Sequence, residues 1–373
     1  MSPTAPSKAI VNLRHYAHNL AVVRKLVGGR VGIAAIVKAN GYGHGMLAMA
    51  RKAVESHAAM LGVATIDEGI QLRKAAVTAP ILVLFQPCRE ALGAAVAHRL
   101  TLMICDVETA RALDEVALKT GKVMPVHCMI DTGMGRQGFS LESAPDQLQY
   151  ITRIPRIDIA GLATHFPVAD KADDPFTLNQ IKAFKQFLKR ADKAGIPFEK
   201  AHAANSAAVL NYPGAHFDMV RPGLVTYGVW PLEGPPRPGL LLPVLRWETR
   251  VTQVKTLEPG SSVSYGRTYT TAGRMRAAIL PIGYADGYKH SLSNKADVLI
   301  RGTRCRVRGA VCMDQTVVDV THLPDITEGD IVTVIGQDGD EVISAEELAR
   351  HAGTIPYDIL TGIGNRVPRE YIE

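Results

Sequence analysis

Short apolar runs alternate with longer amphipathic stretches eight times along the first two-thirds of the chain, and no other feature restricts the fold as much. Ile33–Val37 leads to Gly45–Ser56, Leu61–Val63 to Ile66–Ala75, Ile81–Leu84 to Arg89–Ala97, and Leu102–Ile104 to Val107–Lys119. Val123–Ile130 leads to Ala144–Thr152, Ile157–Ala163 to Phe176–Ala194, Lys200–Ala203 to Ser206–Leu210, and Phe217–Val220 to a weak last helix. The apolar runs are continuous, as strands buried on both faces must be. Asp106 predicts an N-cap, and Gly195-Ile196-Pro197 predicts a helix stop. Each unit has the length of a βα repeat, so a parallel sheet is expected. Eight units are the count for a closed (β/α)8 TIM barrel. An open doubly wound sheet shares this linear pattern, because strand order is not written in the sequence.

The character changes at Pro235-Pro236-Arg237-Pro238-Gly239, a Pro/Gly cluster that reads as a linker. The division is therefore expected between a barrel over 1–238 and a second domain over 239–373. Beyond the cluster, Thr249–Leu257, Arg276–Pro281, Val298–Ile300, Arg304–Val311, Thr316–Val320 and Ile331–Ile335 read as strands between Gly/Asp turns. One helix, Ala345–Ala352, opens after Ser344 with Glu347 three residues on, the capping-box spacing. A smaller, mostly antiparallel β domain is expected.

Composition narrows the function classes. At 47% hydrophobic and 21% charged over 373 residues, the chain has apolar material for a large core, which excludes disorder. The excess of 42 basic over 36 acidic residues is not gathered into a run, so no nucleic-acid partner is expected. A mild positive balance suits anionic small molecules. Cys88, Cys105, Cys128, Cys305 and Cys312 are scattered without a CxxC pair, so neither disulfides nor a metal site is expected. With no apolar signal core at the N-terminus and no run of ~18 apolar residues, a cytoplasmic protein without a membrane span is expected.

In a parallel barrel, active groups sit where strands end. Lys38-Ala39-Asn40-Gly41-Tyr42-Gly43-His44-Gly45 follows the first strand. A desolvated lysine there is a nucleophile or a base, although a single rim lysine more often snorkels to solvent. Asp131-Thr132-Gly133-Met134-Gly135-Arg136 follows the fifth strand and Thr164-His165-Phe166 the sixth. Asn205-Ser206 follows the seventh, and Arg221-Pro222-Gly223-Leu224 the eighth. The last two offer a hydroxyl and backbone N–H groups in the usual barrel position for a phosphate. Taken singly, each has a bland reading as a helix cap or a surface ion pair. A Lys, a His, an Arg and a phosphate-type loop on one rim together point to an active site.

The segment Ala35–Gly45 resembles the pyridoxal-phosphate attachment motif of the alanine racemases. Further matching motifs follow in order along nearly the whole chain. They are Asp131–Arg136, Thr164-His165-Phe166, Asn205-Ser206, Arg221-Pro222-Gly223 with Tyr227-Gly228, Val263-Ser264-Tyr265-Gly266, Pro281–Tyr288, Gly309–Asp314, Ile355-Pro356-Tyr357 and Arg366–Arg369. That family is built as a barrel followed by a β domain.

The resemblance implies that Lys38 carries pyridoxal 5'-phosphate as a Schiff base and serves as one catalytic base. It implies that Tyr265, reaching from the partner subunit of a homodimer, is the second. Arg221 would face the pyridine nitrogen, with His165 beside it. Tyr42, Asn205, Ser206, Gly223, Leu224 and Tyr357 would surround the phosphate. Arg136 would address the substrate carboxylate and the cofactor phenolic oxygen, and Met313 and Tyr284 of the partner subunit would line the substrate side. The implied activity is racemisation of alanine, supplying D-alanine for peptidoglycan. One departure stands out: family members often carry, two residues before Asp-Thr-Gly, a lysine modified to a carbamate that supports the arginine. Here that position is Met129, so no carbamate forms, and Arg136 is expected either to find another partner, such as a bound chloride, or to be oriented less firmly. A serine, lysine or broad-specificity racemase stays open. A pyridoxal-phosphate decarboxylase on the same barrel lacks the Val-Ser-Tyr-Gly motif, and a non-catalytic cofactor-carrying protein lacks the second domain.

Overall fold

The computed structural model describes residues 5–373 as two compact units. One comprises Ala17–Gly41 and Met46–Leu241, and the other residues 5–16, Tyr42–Gly45 and Leu242–Glu373.

The first unit is the barrel. Its parallel strands are Gly32–Ile36, Met60–Val63, Ile81–Val83, Thr101–Ile104, Met124–Asp131, Ile157–Ala163, Lys200–His202 and Met219–Val220. The eighth pairs with the first, and the fourth with the fifth, so the ring closes. Closure decides between the two parallel architectures and leaves no open edge. Ala34, Met60, Leu82, Met103, Met129, Ala163 and Met219 form one buried apolar cluster, contributed by seven of the eight strands. Methionine adapts to irregular gaps, which suits strands of unequal length. Asp106 caps its helix as expected, accepting from Thr109 N at 2.7 Å. The long helix Pro175–Lys193 stops before Gly195, which has φ +68°.

Two elements differ from the sequence reading. No helix follows the eighth strand; only a short 3₁₀ turn, Leu224–Tyr227, does. Instead a 15-residue helix, Leu13–Val27, precedes the first strand. Tyr16, Leu20, Val23 and Val27 are buried at helical spacing, so its apolar stripe was present in the sequence.

In the β unit, the largest sheet runs in the order Thr303–Arg306, Asp297–Ile300, Ile331–Asp338, Leu245–Arg250, Lys8–Asn12, Arg369–Ile372. The N-terminal strand Lys8–Asn12 thus belongs to this sheet. It is antiparallel to Leu245–Arg250 and parallel to Arg369–Ile372, the one parallel pair in an otherwise antiparallel unit. The single strand expected over Thr249–Leu257 is two, Leu245–Arg250 and Gln253–Leu257, in different sheets. The switch lies between them, where Val251 N bonds Asp330 O and Thr252 N bonds Ile279 O. Ser344 caps the helix Ala345–Ala352 through Glu347 N. No helix among the described residues is long and apolar enough to cross a membrane.

Candidate active site

The first barrel strand stops at Ile36, and Lys38 opens a turn wound the wrong way for L-residues. Ala39, Asn40, Gly41, Tyr42 and Gly43 all have positive φ, between 51° and 81°. Each non-glycine residue there costs roughly 1–2 kcal/mol, so the turn needs fixed partners. Glu68 Oε1 accepts from Ala39 N at 2.6 Å, Val37 O from Gly41 N at 2.9 Å, and Asn40 Oδ1 from Met46 N at 3.0 Å. Gly43 is obligatory, because a Cβ there would overlap the Leu360 carbonyl. Lys38 Nζ lies 4.9 Å from the centroid of the Phe85 ring. Burial, then the nearby Arg136 cation, hold the Lys38 amine below the ordinary lysine range, against a smaller opposing pull from Glu68. A lysine that loses its proton more readily is a better nucleophile toward a carbonyl and a better base.

Arg221 is only 6% exposed and meets no carboxylate among the described residues. Its guanidinium donates to His202 Nδ1 at 2.6 Å, His202 O at 3.0 Å, Thr164 O at 2.7 Å, Ala203 O at 3.1 Å and His165 Nδ1 at 3.2 Å. An arginine cannot accept a hydrogen bond, so both Nδ1 atoms are acceptors. The proton of His202 therefore sits on Nε2, which donates to His127 Nδ1 at 2.6 Å. Burial, then Arg221, Arg136 and Lys38, lower the pKa of His165 to about 3. Burial, then Lys200 and Arg221, lower that of His127 to about 3. His202 is held well below the ordinary histidine value, first by burial and then by Arg221. Arg221 itself falls only to about 10, by burial and then Arg136, and stays charged at neutral pH. Arg221 is thus a fixed cation among three neutral imidazoles.

Asn205 caps the short helix Ser206–Asn211 by accepting from Ala208 N, and donates to Phe166 O at 3.2 Å. Ser206 is buried, and its Oγ accepts from Gly223 N at 2.9 Å and Val225 N at 3.3 Å. Both lone pairs of the hydroxyl are engaged, so only its proton remains to be given. Among the described residues nothing accepts it. Leu224, also buried, opens the turn between those two donors.

In the β unit, the Tyr42 and Tyr357 rings lie 5.9 Å apart, centroid to centroid, at 44°. Burial, then Tyr357, push the Tyr42 phenol above its ordinary pKa, which keeps it a proton donor. Tyr265 is 77% exposed, between Ser264 at φ 62° and Gly266 at φ 69°. Ser264 Oγ donates to Ala310 O at 2.6 Å, and a Cβ on Gly309 would sit 2.5 Å from Val263 O. Tyr284 N donates to Cys312 O and Ala285 N to Met313 O, both at 3.0 Å. Tyr265, Tyr284 and Met313, all exposed, therefore ride on mutually bonded loops. Asp314 beside them accepts from Arg366 Nη1 at 2.8 Å, while Arg366 Nε lies 3.3 Å from Asp286.

Both halves of the chain match known family models: "Alanine racemase, N-terminal domain" over residues 11–231 and "Alanine racemase, C-terminal domain" over 244–371. The chain belongs to the alanine racemase family. It is 40% identical to the alanine racemase of Halothermothrix orenii over 99% of this chain and 97% of that one. Its structure superposes on the alanine racemase of Clostridium difficile 630 with a TM-score of 0.95, at 34% identity, covering 100% of this chain and 97% of that one. An alanine racemase from Bartonella henselae, solved with covalently bound pyridoxal phosphate, gives a TM-score of 0.90 at 28% identity, covering 99% of this chain and all of that one. The chain is accordingly an enzyme, an isomerase of this family.

Of the residues singled out from the sequence, Lys38, Arg136, His165, Asn205, Ser206, Arg221, Gly223 and Leu224 lie in the barrel unit. Tyr42, Tyr265, Tyr284, Met313 and Tyr357 lie in the β unit. Three residues of the barrel site went unnoticed in the sequence: Phe85, His127 and His202. The histidines had a signal, being polar residues inside otherwise apolar strands. Phe85 had none, since an aromatic after an apolar strand is ordinary.

Proposed function

We propose that the chain interconverts L- and D-alanine using pyridoxal 5'-phosphate held by Lys38, with the partner subunit's Tyr265 as a second base. The observation that carries this reading is the Lys38 amine, depressed by burial and by Arg136, on a rim that also bears the Arg221 donor and the orphaned Ser206 proton. These groups fit the cofactor: an amine for its aldehyde, a hydroxyl donor for its phosphate and a permanent cation for its ring nitrogen. When bound, pyridoxal phosphate supplies an electron sink that acidifies the Cα–H of an amino acid.

Ser206, the Gly223 and Leu224 backbone, Asn205, Tyr42 and Tyr357 are the residues that would hold the cofactor's phosphate. Arg221 keeps its proton, so it donates to the ring nitrogen without protonating it and tempers the sink. His165, neutral, fixes the Arg221 guanidinium. Arg136 orients the substrate carboxylate, and the partner subunit's Tyr284 and Met313 bound the space for a small side chain. Lys38 Nζ takes or returns the Cα proton on one face. The partner subunit's Tyr265 Oη does the reverse on the other, so neither base has to cross the substrate plane. Exposure of Tyr265, Tyr284 and Met313 supports a homodimer in which each chain completes its neighbour's site. The product, D-alanine, serves peptidoglycan synthesis in the cytoplasm.

Solvent deuterium entry into each enantiomer tests the pair of bases. Tyr265→Ala should slow exchange from one enantiomer at least ~100-fold more than from the other, the scale of a lost general base. Equal slowing from both sides would rule out the two-base assignment.

A further inference from the structure

We propose that Phe85 is a positioning residue whose ring seats the Arg136 guanidinium beside the Lys38 amine, holding Arg136 ready for a substrate carboxylate. The proposal rests on the reading of Arg136 as the carboxylate-binding group. Phe85 stands just beyond the third barrel strand, Ile81–Val83, half-buried at the rim. Arg136 Cζ lies 5.3 Å from its ring centroid and Lys38 Nζ 4.9 Å, both within reach of the ring quadrupole.

Arg136 has no other support among the described residues. It forms no ion pair there. The acid on its own loop, Asp131, is turned inward and accepts from Gly133 N at 2.8 Å and from Gly135 N. Met129, on the strand beneath, belongs to the apolar barrel cluster. An aromatic face attracts a guanidinium without neutralising it, as a carboxylate would. Arg136 therefore stays available to a carboxylate ligand.

Seating two cations on one ring also has an electrostatic consequence. The charged groups that act on Lys38 are Arg136, which disfavours its protonated form, and Glu68, which favours it. Lys38 in turn disfavours protonation of His165. By fixing Arg136 near Lys38, the ring holds that cation where it disfavours the protonated amine.

The test compares Phe85→Leu, Phe85→Tyr and Arg136→Gln by two readouts, with melting temperature as a check on folding. The first is the KM against kcat split for alanine in the cofactor-loaded enzyme. The second is acetylation of Lys38 by acetic anhydride across pH in cofactor-free full chain, read by mass spectrometry. Arg136 is exposed, so Phe85→Leu should raise KM about threefold, the scale of a lost cation–π contact at an exposed site, with a smaller change in kcat. It should also move the Lys38 labelling midpoint up toward that of an ordinary lysine. Phe85→Tyr should restore both. If Phe85→Leu leaves either readout unchanged while Arg136→Gln raises KM, the positioning role of Phe85 is wrong and the Arg136 reading stands. If Arg136→Gln leaves KM unchanged, the carboxylate assignment itself fails, and the proposal with it.

Discussion

The barrel rim and the exposed loops of the β unit fix their functional groups by opposite means. At the rim, Arg221, His202 and His127 are buried and His165 half-buried, and all four are tied to one another side chain to side chain. Their charge states are set within one chain. In the β unit, Tyr265, Tyr284 and Met313 project into solvent, and only the backbone beneath them is fixed, through Ser264, Gly309 and the Tyr284–Cys312 bond. Buried polar networks are sensitive to any deletion, because each orphaned partner loses its solvation as well as its bond. Exposed side chains on fixed loops are almost free of folding constraint, so their identity is kept for function.

Arg221→Leu should have the largest effect on stability. It leaves the carbonyls of Thr164, His202 and Ala203 and two imidazole Nδ1 atoms without their donor. At roughly 1 kcal/mol or more for each unsatisfied acceptor, the loss should be about 3 kcal/mol or more. Chemical denaturation of the purified variant measures it. A midpoint equal to that of the parent would mean that the rim network adds nothing to stability.

Acid should weaken the fold next most, with the rim histidines among the main contributors. His127 and His165 have folded pKa values near 3, against an ordinary value of about 6.5. The unfolded chain therefore binds more protons than the folded one between those limits. Their contribution is complete above about pH 6.5 and shrinks as pH falls toward 3, by up to about 1.4 kcal/mol per pH unit for each group. Melting curves between about pH 7.5 and 5.5 should show this slope, and it should be shallower in His127→Gln. An identical slope in the two proteins would place the acid-sensitive groups elsewhere.

The same contrast explains what the sequence disclosed. The eight apolar runs, the Asp106 cap and the Gly195 stop are local signals, and the structure follows each of them. Closure of the ring was not legible, because it depends on the pairing of Met219–Val220 with Gly32–Ile36, far apart in the sequence, which no local pattern encodes. The N-terminal strand Lys8–Asn12 was missed for the same reason: its partners lie more than 230 residues away, at Leu245–Arg250 and Arg369–Ile372. Lys38 and Arg221 drew notice as charges at strand ends. Their role as centres of a network came only from three-dimensional proximity, as did the ring of Phe85 between two cations.

Ser264→Gly should change stability least and bears on the other half of the comparison. Ser264 has φ 62° and ψ −173°, a conformation that glycine adopts freely and serine does not. Relief of that strain favours the variant by about 1–3 kcal/mol. Loss of the 2.6 Å bond from Ser264 Oγ to Ala310 O costs about 0.5–1.5 kcal/mol, and glycine adds roughly 1 kcal/mol of backbone entropy to the unfolded chain. The terms nearly cancel, so the denaturation midpoint should barely move. Activity should not follow, because the hydroxyl is a direct tie between the Tyr265 loop and the loop that carries Met313. On the proposed two-base reading, a loosened Tyr265 should lower kcat several-fold while the melting temperature stays within a degree or two, since displacement by a fraction of an ångström spoils approach geometry. If stability and kcat fall together, the exposed loops are held by the same interlocked side chains as the rim, and the contrast between the two regions disappears.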